Sequence, residues 1–119
     1  MALSNKTYDL LERSSAFGET IILFVQSLSN NPVIDPLKIQ LLRSGTSIGA
    51  NYMEADGAES KADFRHKIAI CRKESKETLY WLRMIAQADP RTIEHCRKLY
   101  KEAHELTLIF SSILLKKGQ

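Results

Sequence analysis

The sequence predicts an all-α fold: an antiparallel up-down-up-down four-helix bundle, with residues 1–119 forming one domain. Three observations lead there. Apolar residues recur at intervals of three and four, and no segment sustains the period-two alternation of a half-buried strand. Caps, prolines and a glycine cut the chain into four segments. The connections between these segments are short, which favours antiparallel neighbours.

The first helix is expected over about residues 5–29, closed by Asn30-Asn31-Pro32, with Leu10, Phe17, Ile21, Phe24 and Leu28 on its core stripe. Asp35-Pro36 reads as an N-cap followed by proline at the first helical position. It opens a helix over 36–56 whose stripe holds Leu37, Leu41, Gly45, Ile48, Tyr52 and Ala55. Gly45 and Gly49, four residues apart, would let a neighbouring helix approach closely. Asp56-Gly57 interrupts, and Ser60 with Asp63 three residues on forms a weak capping box. The third helix follows over 61–88, its stripe Phe64, Ile68, Cys71, Ser75, Leu82 and Ala86. Asp89-Pro90 repeats the cap-plus-proline signal before a fourth helix over 90–116, with Ile93, Cys96, Tyr100, Ala103, Thr107, Phe110 and Leu114 inward.

Composition narrows the class. A chain of 119 residues, 44% hydrophobic and 26% charged, can bury one core without staples. Glycine and proline together number eight, which excludes collagen-like and disordered chains. The apolar run Ile21–Val25 is five residues long, whereas a membrane span needs about 20. The start lacks the order of a secretory signal, so a cytoplasmic location is expected. Cys71 and Cys96 lack metal-ligand spacing and read as reduced and buried.

Apolar residues left off the core stripes predict an obligate oligomer. Ile39, Leu42, Thr46, Gly49, Ala50 and Met53 make a second face on helix two. Ile70, Tyr80, Trp81 and Met84 make one on helix three, and Leu11, Ile22 and Leu23 add to it from helix one.

Chemistry is sparse. No Glu-x-x-His pair exists for a di-metal bundle, and Asp63-x-x-His66 reads as surface. No Gly-x-Ser-x-Gly elbow or phosphate-binding Gly-rich loop is present, and both cysteines lie on core stripes. These observations predict no catalytic residues, no metal and no cofactor. Ser47, Asn51, Glu54, Lys67, Lys73, Glu74 and Glu77 read instead as a structural polar network, with Lys67 a partner for the acid or amide of helix two.

Charge is unevenly placed. The net charge of +3 divides into −3 over residues 1–59 and +6 over 60–119. Lys61, Arg65, Arg72, Lys76 and Arg83 fall within an arc of roughly 60° on helix three. Such a stripe is either a phosphate-attracting face for RNA or DNA, or a set of intersubunit salt bridges in a protein-interaction scaffold.

The segment Ser44-Gly45-Thr46-Ser47-Ile48-Gly49-Ala50-Asn51-Tyr52-Met53-Glu54-Ala55 resembles the signature of the 23S rRNA-intervening sequence proteins. Its second half is similar too, in Ser60, Asp63-Phe64, Lys67, Ile70, Lys73-Glu74, Glu77-Thr78 and Tyr80-Trp81-Leu82. The resemblance, over about residues 15–115, implies a four-helix bundle assembled as a ring-like homopentamer, with no catalytic activity attached. A related branch, the accessory variability proteins of diversity-generating retroelements, implies nucleic acid and a reverse transcriptase as partners. Residues and resemblance together predict a non-enzymatic oligomeric module that binds nucleic acid, a protein partner, or both.

Overall fold

Each helix starts where a side chain can accept from its otherwise unpaired first N–H groups. In the computed structural model, which describes residues 9–117, Asp9 accepts from the Glu12 N–H at 3.1 Å and opens α1 (Leu10–Ser27). The expected first turn at residues 5–8 lies outside the described residues. Asn31, not Asp35, caps α2 (Ile34–Asp56), its Oδ1 accepting from Val33 and Ile34 at 2.9 and 2.8 Å. The helix therefore begins two residues earlier than the Asp-Pro signal indicates. Pro36 sits in the first turn, where its missing N–H is harmless. Ser60 accepts from Asp63 at 3.0 Å to start α3 (Lys61–Ala88). Asp89 accepts from the Arg91 N–H and opens a 3₁₀ turn, Pro90–Thr92, that leads into α4 (Ile93–Lys117). Its hydrogen bond with the Arg91 side chain holds the Asp89 carboxyl below its ordinary range.

Cross-helix pairs give the topology. Ser44 meets Thr78, and Glu54 meets Lys67, so α2 and α3 run antiparallel. Gly45 faces Ile21 and Gly49 faces Ser14, which makes α1 and α2 antiparallel as well. Arg65 reaches Leu114 from α3 to α4. Arg13 bridges Glu102 and Glu105, while Phe24 lies edge-on to His95 at 4.6 Å, closing α1 on α4. The result is a four-helix bundle with no strand among the described residues.

The α1–α2 contact is close. A Cβ at Gly45 would fall 3.0 Å from two Ile21 carbons, and one at Gly49 would fall 3.3 Å from the Ser14 backbone. Gly49 is thus buried against α1 and not on the outer face of α2.

All five residues expected in the core of α1 are buried. The core of α4 is phased differently from the reading above: Cys96, Leu99, Ala103, Leu106 and Phe110 are buried, whereas Ile93 and Tyr100 are 41% and 43% exposed. Both phases share Cys96, Ala103 and Phe110. They differ by one residue at the intervening positions, and the bundle takes Leu99 and Leu106 inward over the hydroxyl-bearing Tyr100 and Thr107, which favours water at those two positions. In α3, Thr78 and Ile85 join the core, while Phe64 and Ala86 pack at its margin.

Candidate functional site

The outward side of α2 carries an apolar belt. Ile39, Thr46 and Met53 recur every seven residues, so they lie one above another. Ile39 is 65% exposed and Met53 59%. Leu42 flanks them, and Ala50 is also exposed. Ile22 of α1 and Tyr80 of α3 are exposed as well, and Ile70, Trp81 and Met84 are half-buried. Trp81 is fixed from both sides: its Nε1 donates to Glu77 at 3.1 Å, and Tyr80 meets its ring edge-on at 4.9 Å. Leu23 is also exposed, set about 100° from Ile22 around α1.

The residues read as a polar network divide into separate pairs. Lys67 meets Glu54 at 2.6 Å, which raises the Lys67 pKa, and the half-exposed pair is screened by solvent. Glu77 accepts from both Trp81 and Arg43, the latter at 3.1 Å. Asn51 and Ser47 turn back on their own helix, donating to the carbonyls of Ser47 and Arg43. The expected reach of Asn51 to helix three is not made, because a donor at i can satisfy itself on the i−4 carbonyl. Lys73 is exposed.

Polar contacts that cross the α2–α3 core are ones the sequence reading missed: the Cys71 thiol lies 3.5 Å from the Ile48 carbonyl, and two hydroxyls meet. Buried Thr78 and Ser44 hydroxyls lie 3.0 Å apart, and Thr78 also donates to the Glu74 carbonyl. Beside them the Glu74 side chain is only 7% exposed, and its Oε1 has no hydrogen-bond partner. A buried carboxylate oxygen without a donor is destabilising. Glu74→Met, which keeps the length of the side chain and removes its charge, is therefore expected to raise the thermal unfolding midpoint by a few degrees. A fall in a calorimetric scan would instead show that the carboxylate stabilises the fold.

The basic stripe lies on the other side of α3, along its seam with α4. Lys61, Lys76 and Arg83 are exposed, and Arg65 and Arg72 are half-buried. None of the five pairs with an acid among the described residues. Arg65 donates to the Leu114 carbonyl at 2.9 Å, near the C-terminal end of α4 where carbonyls lack helical partners.

No catalytic constellation emerges among the described residues. No group of three or more His, Cys, Asp or Glu side chains is placed to hold a metal ion. Both cysteines are free and buried; burial pushes the Cys71 thiol up to about 12 and raises that of Cys96, which disfavours the reactive thiolate. Among the described residues, no helix is long and apolar enough to cross a membrane.

Close α1–α2 packing through Gly45 and Gly49, with outward apolar and basic faces on α2 and α3, places the chain among the four-helix-bundle proteins. It belongs to the 23S rRNA-intervening sequence protein family, whose family model matches residues 6–112. It is also similar to a crystal structure of a protein of unknown function from the S23 ribosomal protein family of Bacteroides thetaiotaomicron. That likeness has a TM-score of 0.80 and 36% identity, over 87% of this chain and 96% of the other. Comparison with curated proteins gives no match.

Proposed function

We propose that this chain is a non-enzymatic helical module that assembles through the apolar belt, as a homopentamer in the cytoplasm, and binds nucleic acid through the α3 basic face. The observation that carries the binding reading is the stripe itself: five cations on one face with no acid paired to them among the described residues. Unneutralised cations held along one face of a helix are complementary in charge to a phosphate backbone. Five copies would present about 25 of them, raising avidity for a long polyanion without any new contact. A protein partner such as a reverse transcriptase would then meet the assembly on surfaces that the nucleic acid leaves free.

Such binding depends little on sequence, because phosphate contacts position a strand without reading its bases. It weakens steeply with salt, log K against log salt sloping by roughly −0.9 for each phosphate neutralised on duplex DNA. The test is a salt titration of RNA and DNA binding by the native protein and by Arg72→Glu/Lys76→Glu. Arg65 is left in place because it also holds the end of α4. The double reversal is expected to abolish binding at about 100 mM salt and to flatten the slope. Absence of native binding at about 50 mM salt, or binding that survives the reversal, would leave the scaffold reading.

A further inference from the structure

The outward shift of Tyr100 places an aromatic ring beside the basic stripe. Near the α3–α4 connection, a groove of about 340 Å³ is lined by Arg83 and Ala86 of α3 and by Ile93, Arg97 and Tyr100 of α4. Its floor is apolar and shallow, since Leu82 and Cys96 are buried and Ala86 is small. Tyr100 is 43% exposed, and Arg83 pairs with no acid among the described residues. Arg97 is held 2.7 Å from Glu94 in an exposed pair that solvent screens.

From this geometry we infer that the α3–α4 groove is a base-stacking site, and that the nucleic acid carried by the basic face is single-stranded. The inference rests on the binding reading above and adds the form of the ligand. An apolar floor beside one exposed ring accepts the face of a nucleobase, and every base has such a face. The adjoining Arg83 meets the phosphate of that nucleotide. Lys76, Arg72 and Arg65 continue along the same side of α3, about 27 Å from Arg83 to Arg65 at 1.5 Å per residue, so a strand leaving the groove keeps meeting cations. At the far end Arg65 and Arg72 line a second groove, of about 510 Å³, with Leu114 and exposed Leu115. Bases in a duplex are stacked on one another and cannot enter such grooves. Only an unpaired strand engages cations and ring together.

The experiment compares a 15-nucleotide single-stranded RNA, the same strand in duplex, and the corresponding DNA strands at low salt. The proteins are the native chain, Tyr100→Ala, Tyr100→Phe and Arg72→Glu/Lys76→Glu. Single strands are expected to bind better than duplexes. Tyr100→Ala should weaken single-strand binding on the order of tenfold, leaving duplex binding unchanged, and Tyr100→Phe should restore it because the ring is what stacks. Circular dichroism of each variant shows that the bundle is intact. If Tyr100→Ala binds single strands as well as the native protein while the charge reversal abolishes binding, the basic-face reading stands and the stacking site is overturned. If the native protein binds neither form, both readings fall.

Discussion

Ile39→Glu combined with Met53→Glu is expected to release 13.5 kDa single chains from an assembly of about 67 kDa, five times that mass. Both residues stand on the outward stripe of α2, 65% and 59% exposed, so within one chain their replacement removes no core contact. The helical circular dichroism of the variant should match that of the native protein. In an assembly closed over the belt, each new carboxylate would be buried without a partner. An uncompensated buried charge costs about 3–5 kcal/mol, and a ring repeats the penalty at every interface. Trp81 is a poorer probe, because it packs against the core and donates to Glu77. Its loss would mix folding with association. Light scattering at micromolar concentration distinguishes the outcomes. A native chain that is monodisperse at 13.5 kDa would end the assembly reading.

How much of this was legible in the sequence follows from which signals are local. The four helices and the caps at Ser60 and Asp89 are, because a cap needs only its own first turn. Asp35-Pro36 is as good a local start as Asn31, and the earlier start places Ile34, which is buried in the core, within the helix. Helical period fixes a stripe only when one phase is more apolar than the next. In α1 it is, and Phe17, Ile21 and Phe24 are all buried. In α4, Tyr100 and Thr107 compete with Leu99 and Leu106 one residue away, and only packing against the other helices decides. The exposed ring at Tyr100 was invisible for that reason. Pairings between helices were the least legible. Glu54 and Lys67 could be matched by charge, but Arg13 with Glu102 and Glu105 joins residues about 90 apart, with no local signal to connect them. The five cations needed no partner to be seen as one face, since their spacing on a single helix defines it.

Gly49→Val is expected to lower the unfolding midpoint by roughly 10 °C, from a loss of about 1–3 kcal/mol. The reason lies in what faces the glycine. A Cβ at position 49 would come within 3.3 Å of the Ser14 carbonyl carbon and oxygen and 3.4 Å of the Ser15 nitrogen. These are backbone atoms of α1, which cannot rotate aside as a side chain could. The added methyl groups of valine make the collision worse, so α1 must move away from α2 and thin the contacts of Ile21 and Phe17. Substitution of glycine normally favours a helix by lowering the entropy of the unfolded chain, so steric and intrinsic effects oppose each other here and the steric one is larger. Gly57 gives the internal control. It ends α2 at φ −100°, where any residue is comfortable, and a Cβ there would meet nothing closer than 4.0 Å. Gly57→Ala should therefore leave the midpoint unchanged or raise it slightly. Thermal melts of both variants beside the native chain measure the difference. Equal midpoints for Gly49→Val and Gly57→Ala would mean that α1 and α2 are not held at this separation, and that the glycine pair at 45 and 49 has some purpose other than close approach.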